Sequence, residues 1–361
     1  MIGVAQIGPA PGAPGGMSAV IGELLQLQLP GIRMESVPSW SGGHDRLATT
    51  LRAVRTLRRV RDHTDITHLH LSEYGSFLRE GFLARTARRE GLKVVMTLHG
   101  ANFPEQVRRY PRLTRRVLRE ADVVLCLGPR QRDLVTTLVP DVDARLISNP
   151  VSVPGQPPAR RADDASRSFL FAGEVGSRKG IDLLIGAWLR VHVQAPSARL
   201  LVAGPLVEQW TDERRWADLS AVGITYLGVL TRDRLAEVMS DVDVCVLPSR
   251  AEVLPMTVLE GLALGRRVIV TDVGECGSLA SCVGIDLLPA PSGDADLDRA
   301  VLERALRLAL LEDRPDPVAV QQWVRAFASH ETVGGTLTAV YDELAGVQAA
   351  DAGGHAERVP C

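Results

Sequence analysis

Twice along this chain, short apolar runs of β character alternate with longer helical patterns, and that repeated alternation leaves few folds open. In the first half "IGVAQIG", "ITHLHL", "KVVMTLHG", "DVVLCLG" and "ARLISNPV" read as strands. Between them "MSAVIGELLQLQL", "FLREGFLARTARREG", "LTRRVLREA" and "PRQRDLVTTLV" read as helices. The rhythm breaks at "VPGQPPARRADDASRS", where proline and polar residues crowd. It restarts with "SFLFAGEV", a helix from Ile181, "ARLLVAG", "ITYLGVL", the helix "TRDRLAEVMS", "VDVCVLP", the helix "TVLEGLALG" and "RVIVTDV". Such alternation is the mark of βαβ units, in which crossover helices join parallel strands. The expected class is α/β, with two Rossmann-like parallel-sheet domains facing across a cleft. Residues 1–155 form the first, 156–168 a linker and 169–330 the second. Residues 331–361 are expected to give a helix packing back toward the N-terminal domain, then a frayed tail.

Length agrees, because 361 residues exceed one comfortable core. The net charge of −2 argues against a general nucleic-acid binder, but it hides an asymmetry. Residues 1–155 carry 21 basic against 14 acidic side chains, and the remainder 20 against 29. A basic first half and an acidic second half suggest different partners for each. None of the five cysteines forms a CxxC pair or stands at metal spacing from histidines. Cys126 and Cys245 lie in apolar strand runs, so buried thiols in a reducing cytoplasm are expected. The opening "MIGVAQIG" is too short and lacks the basic start of a signal peptide. No run reaches the roughly 18 apolar residues of a membrane span.

In doubly wound sheets ligands bind beyond the carboxyl ends of the strands. The strand-to-helix loops are therefore the places to look. "GPAPGAPGGMSAVI" is not a dinucleotide fingerprint, but Gly15 and Gly16 directly precede a helix, whose N-terminal N–H groups suit an anion. Only Lys93 and Lys179 among 41 basic residues are lysines. Lys179 follows Arg178 just before the helix at Ile181, where a cation opposes the helix dipole unless it reaches something negative. In "VLPSRAEVLPMTVLEGLALG", Glu252 lies in a loop and Glu260 on the following helix, amid apolar residues where an idle carboxylate would be costly. A carboxylate can accept hydrogen bonds from paired hydroxyls, and the helix start near Met256 can hold phosphate charge.

Glu252 to Glu260 resembles the E-x7-E motif of the retaining glycosyltransferases of family 4, which have the GT-B fold. "IGPAPGAPGGMSAVI", "MTLHG", "ISNPV", "RKGIDLLIGAW" and "VIVTDVGECGS" resemble, in order, further segments of that family over roughly residues 1–345. The resemblance implies that Lys179 and Arg178 meet a donor diphosphate and that Glu260 holds ribose hydroxyls. It implies that Glu252 holds hydroxyls of the donor sugar, with Leu254 and Met256 lining the donor, and that His99 lies beside the reacting centre. Gly15 and Gly16 would frame the diphosphate and the acceptor entrance. Lys179, Glu252 and His99 are the expected catalytic residues. The donor would be a nucleotide sugar, UDP-linked by preference, with no cofactor and no metal. The acceptor would be a hydroxyl of a glycan, a lipid-linked glycan or a small metabolite.

One departure stands out. The family usually has an arginine five residues before the lysine, and here that position is Glu174. Either Glu174 points away and frees Arg178 for the phosphate, or the two pair and leave Lys179 to carry most of the compensation. Two alternatives follow: a catalytically weak or inactive nucleotide-sugar-binding protein, and a nucleotide-sugar epimerase of like architecture.

The N-terminal half is expected to meet the acceptor. In "RLATTLRAVRTLRRVRDH", Arg52, Arg55 and Arg59 share a helical face, with Leu51, Val54, Leu57 and Val60 on its other flank. Arg108, Arg109, Arg112, Arg115, Arg116 and Arg119 add a second basic set. Such helices can rest on an anionic membrane surface, so peripheral contact at the inner face of the membrane is an open expectation beside a solvated arginine-rich surface.

Overall fold

The structure, a computed structural model, describes residues 1–13, 15–40, 46–159 and 167–347. Residues 160–166 of the expected linker and the tail from residue 348, with Cys361, lie outside the described residues. The first sheet is built from β1 (Ile2–Pro9), β2 (Ile32–Trp40), β3 (Ile66–Leu71), β4 (Lys93–Leu98), β5 (Val123–Cys126) and β6 (Asp143–Leu146). Its order is β2-β1-β3-β4-β5-β6, parallel throughout. Every residue of β1, β3 and β5 is buried, as expected where helices cover both faces. The edge strand β2 has no counterpart in the sequence reading. Its run is half polar and carries Pro38, which an edge tolerates because one side needs no N–H partner. The helices are α1 (Gly16–Gln26), α2 (Arg46–Val60), α3 (Gly75–Arg89), α4 (Phe103–Arg109), α5 (Pro111–Leu118) and α6 (Pro129–Leu138).

The second sheet contains β7 (Ser168–Ala172), β8 (Arg199–Ala203), β9 (Ile224–Gly228), β10 (Val244–Leu247), β11 (Arg267–Thr271) and β12 (Ile285–Leu288). It is also parallel, in the order β12-β11-β10-β7-β8-β9. Its helices are α7 (Ile181–His192), α8 (Glu213–Ser220), α9 (Arg232–Asp241), α10 (Met256–Ala263), α11 (Ala295–Leu311) and α12 (Pro317–Ala328). Helices α8 and α11 and the edge strand β12 are additions to the elements expected from the sequence. Numbered from β7, this is the doubly wound order 3-2-1-4-5-6, and its switch point lies between β7 and β10. The loops leaving those two strands carry Lys179 and Glu252.

The last helix, α13 (His330–Ala345), returns to the first sheet. Val333, Leu337, Val340 and Tyr341 pack with Val4, Leu24, Ile66 and Val95. Burying each such side chain stabilises by about 1.5–3 kcal/mol. Met256, at the start of α10, reaches into this same cluster. A second tie joins the halves at α6. Glu275 accepts from the backbone N–H groups of Gln131 (2.7 Å) and Arg130 (3.2 Å) at the helix start. Arg130 in turn makes a bidentate pair with Asp272 at 2.8 and 2.9 Å.

The basic surface differs from expectation in two places. Leu51 is 56% exposed, and the buried positions of α2 among the described residues are Thr49, Ala53 and Leu57, the face that the helix turns inward. Arg115 is half-buried and donates to the carbonyl of Leu138 at 3.1 Å, so it does not belong to the exposed set. The four cysteines among the described residues are buried, and burial pushes the thiols of Cys126, Cys245 and Cys276 up to about 12. No helix among the described residues is long and apolar enough to cross a membrane.

Candidate active site

The chain leaves β7 through Gly173 and a turn of 3-10 helix, Ser177–Lys179, before α7. Gly180 adopts φ +75°, and a Cβ there would stand 2.0 Å from the carbonyl oxygen of Pro248. Only glycine lets this turn close on the loop after β10. Further hydrogen bonds join the two loops. The N–H of Arg250 donates to the carbonyl of Arg178 at 2.8 Å, and the Arg250 guanidinium makes a bidentate pair with Asp182 at 2.8 and 2.7 Å. Held this way, the Lys179 ammonium pairs with Oε1 of Glu252, to which Ser249 Oγ also donates at 2.8 Å. The negative group that the lysine reaches is therefore Glu252 itself. Arg178 lies 3.6 Å from Glu174 and donates to the carbonyl of Ala251 at 3.3 Å. Of the two arrangements foreseen for Glu174, the structure shows the pair.

Glu260 stands on α10, its side chain mostly covered. Burial pushes its carboxyl upward, and the neighbouring Glu23 adds to that, while Arg232 opposes it. Arg232, at the start of α9, lies 3.7 Å from Glu260. It also pairs with Glu23 of α1, which is 1% exposed and is joined from its other side by His330 of α13. Sequence reasoning missed this cluster. Glu23 and His330 are 307 residues apart, and no spacing rule connects them. Leu254 and Met256 are both buried, and the carbonyl of Leu254 accepts from the Asn149 side chain at 2.8 Å across the domain boundary.

On the opposite wall Gly15 precedes α1 with φ +122°, a conformation costly for any other residue. No side chain caps this helix and no acid lies in its first turn. A Cβ added to Gly15 or Gly16 would meet nothing within 4 Å, so protein packing does not account for either glycine. His99 follows β4, half-buried. Its N–H donates to the carbonyl of Leu71 at 2.6 Å, and its Nε2 lies 2.9 Å from Nδ1 of His70. Burial pushes the His99 imidazole down to about 4.

The loops after β7 and β10 thus bring Lys179, Glu252, Arg178 and Glu174 together, and α9 and α10 bring Arg232 to Glu260. Gly15, Gly16 and His99 belong to loops at the carboxyl ends of the other sheet. A profile described as "Glycosyl transferase 4-like domain" matches residues 9–150, and one described as "Glycosyl transferases group 1" matches residues 166–306. The chain belongs to glycosyltransferase family 4.

Relatives of this family 4 protein include a glycogen synthase of Mycobacterium tuberculosis, 25% identical over 58% of this chain and 50% of the relative. A D-inositol 3-phosphate glycosyltransferase of Stackebrandtia nassauensis is 29% identical over 56% of this chain and 49% of the relative. The chain spans about half the length of these curated relatives. Among solved structures, sucrose-phosphate synthase of Thermosynechococcus elongatus superposes with a TM-score of 0.74 at 18% identity, covering 96% of this chain and all of its own. Anabaena HepE, solved in complex with UDP, gives 0.68 at 13% identity, covering 95% of this chain and 100% of its own. These likenesses support the GT-B fold of two six-stranded sheets.

Proposed function

We propose that this family 4 protein moves a sugar from a nucleotide-sugar donor, UDP-linked by preference, to an acceptor hydroxyl with retention of configuration. The observation that carries the reading is the meeting of Lys179 and Glu252 at the switch point of the second sheet, where an anionic ligand of a doubly wound domain binds. In this reading the diphosphate takes Lys179 as its counter-charge, Glu252 turns to sugar hydroxyls, and Glu260 accepts from the ribose. The relative that binds UDP, Anabaena HepE, supports the choice of base. Displacement on one face, with the leaving diphosphate taking the acceptor proton, needs no protein nucleophile. The protein then contributes positioning and stabilisation of charge on the phosphate. No metal is called for.

The test is calorimetry with UDP-, GDP- and ADP-sugars, followed by nucleotide release with and without candidate acceptors, with and without EDTA. Binding with acceptor-dependent release supports transfer, and NMR of the product reads the anomer. Binding without release supports the weak-binder alternative. A donor converted without acceptor supports the epimerase. Failure to bind any of the three donors overturns the reading.

A second element concerns the acceptor. The α3 helix exposes Leu78 and Phe82, one turn apart, at 53% and 54%. Exposed arginines of α2 and α5, including Arg52, Arg55, Arg112 and Arg116, lie on helices packed against α3. Apolar side chains flanked by cations favour an acceptor presented at an anionic lipid surface. Co-sedimentation with vesicles containing anionic lipid, lost in Leu78→Asp/Phe82→Asp, is the expected result.

A further inference from the structure

His68 and His70 sit two residues apart on β3, so both face the same side of a fully buried strand. They belong to a line of hydrogen bonds that begins at His99 and ends at Thr97. His99 Nε2 lies 2.9 Å from His70 Nδ1, and His70 Nε2 lies 2.9 Å from Gln6 Oε1. Gln6 Nε2 reaches the hydroxyl of Tyr341 at 3.2 Å, that hydroxyl reaches His68 Nδ1 at 2.6 Å, and His68 Nε2 reaches Thr97 Oγ1 at 2.7 Å. Gln6, His70 and Tyr341 are wholly buried, and His68 nearly so. Burial holds all three imidazoles neutral near pH 7, with His68 down to about 3, His99 to about 4 and His70 well below its ordinary value.

A neutral imidazole has one N–H and one lone pair. Because each bond needs one donor and one acceptor, the protons from His99 through His70 to Gln6 must run one way. Either both of these rings carry the proton on Nε2 or both carry it on Nδ1, and the side-chain amide of Gln6 turns over between the two cases; the Tyr341 hydroxyl, with two lone pairs, can meet either tautomer of His68. Met34 breaks the tie. Its thioether sulfur, 3.4 Å from the same end of Gln6 that faces Tyr341, can accept a hydrogen bond but has none to donate. That end is therefore the NH2, and Oε1 accepts from His70 Nε2–H. His70 Nδ1 is then an acceptor, and His99 must donate to it from Nε2. His99 Nδ1 is left as a lone pair that no hydrogen bond reaches among the described residues.

We propose that Gln6, oriented by Met34 and acting through His70, is a positioning residue that holds His99 in the Nε2–H tautomer, so that its Nδ1 accepts a hydrogen bond from a hydroxyl of the bound sugar. The last step rests on reading the cleft as a nucleotide-sugar site, whereas the tautomer does not.

Long-range nitrogen–proton NMR of the imidazoles of the full chain, assigned by single His→Gln variants, reads the tautomers directly and needs no ligand. His70 and His99 are both expected as Nε2–H. In Gln6→Leu the line is cut between His70 and Tyr341. The His99 signals are expected to move toward values averaged over both tautomers, and Kd for UDP-glucose to rise about tenfold while Kd for UDP stays unchanged. A merely structural loss would weaken both ligands alike. An Nδ1–H tautomer at His99 in the unaltered protein overturns the proposal, whether or not the variant folds, as does a Gln6→Leu protein with unchanged His99 signals. If the unaltered protein binds neither UDP nor UDP-glucose, the donor reading fails instead, and the tautomers alone decide the role of Gln6.

Discussion

Around the expected donor site of the second sheet, the polar side chains are charged and meet opposite charges: Lys179 with Glu252, Arg178 with Glu174, and Arg232 with Glu23 and Glu260. In the other half, β1, β3, the loop after β4 and α13 place neutral groups, three imidazoles, an amide and a phenol, bonded in a line. The difference teaches what each side can do when a ligand arrives. An ion pair can exchange one partner for an incoming anion without leaving a charge bare. A buried neutral line cannot exchange partners; it holds its geometry and offers a ligand only the open end at His99. One side is built for exchange and the other for registration.

The contrast breaks most visibly at Lys179. Lys179→Ala is expected to lower turnover by about 3 kcal/mol in the barrier, as for loss of one preorganised charge-stabilising donor. Single-turnover kinetics measures it, and calorimetric melting should still show a cooperative transition. Turnover unchanged within error would remove the lysine from the mechanism.

The neutral side is probed by pH. The folded His68 titrates near 3 against 6.5 when free, and His70 is also strongly depressed. Below 6.5 the unfolded chain therefore takes up protons that the folded chain refuses. This stability is complete above that pH and is lost as pH falls toward the folded values. The slope is about 1.4 kcal/mol per pH unit for each histidine. Denaturant midpoints at about pH 7 and about pH 5.5 should differ accordingly, and His68→Gln should flatten the difference. Equal midpoints in the unaltered protein would show that these rings are not held neutral.

Glu260→Ala sharpens the charged side. It is expected to weaken UDP binding by about 1.5–3 kcal/mol, the worth of a hydrogen bond to a charged group. The fold should survive, because the variant also removes a carboxylate that burial disfavours. Calorimetry with UDP decides it. The smallest effect is expected from Glu174→Arg. Glu174 and Arg178 are both 41% exposed, so the pair contributes little to stability. Reversing the charge should tighten UDP binding by up to about 1 kcal/mol, and added salt should erase the gain. If the variant instead abolishes binding while folded, Glu174 has a role of its own.

What could be read from sequence follows the same divide. Lys179, Glu252 and Glu260 were legible because each stands where an apolar strand yields to a loop or helix, and a charge there needs a reason. The edge strands β2 and β12 were not, because an edge is partly exposed and its apolar pattern fades. His68 and His70 left a usable signal in "THLH", two polar rings on one face of an otherwise apolar strand. Their partner Tyr341 lies 273 residues from His68, and nothing local announces it. Glu174 was legible as a departure, but only geometry could choose between its two arrangements.

The chain passes between the two sheets twice. The first passage follows β6, and the second lies between α12 and α13. The two passages touch: Val151 bridges to Ser329, and its N–H donates to the carbonyl of Ala328 at 2.9 Å. Two adjacent, hydrogen-bonded crossings act like the paired pins of a door. They resist sliding and twisting of one half against the other and leave rotation about a single line as the soft movement. Any opening of the cleft would then swing along one arc, which returns Lys179 to the same place at every closure.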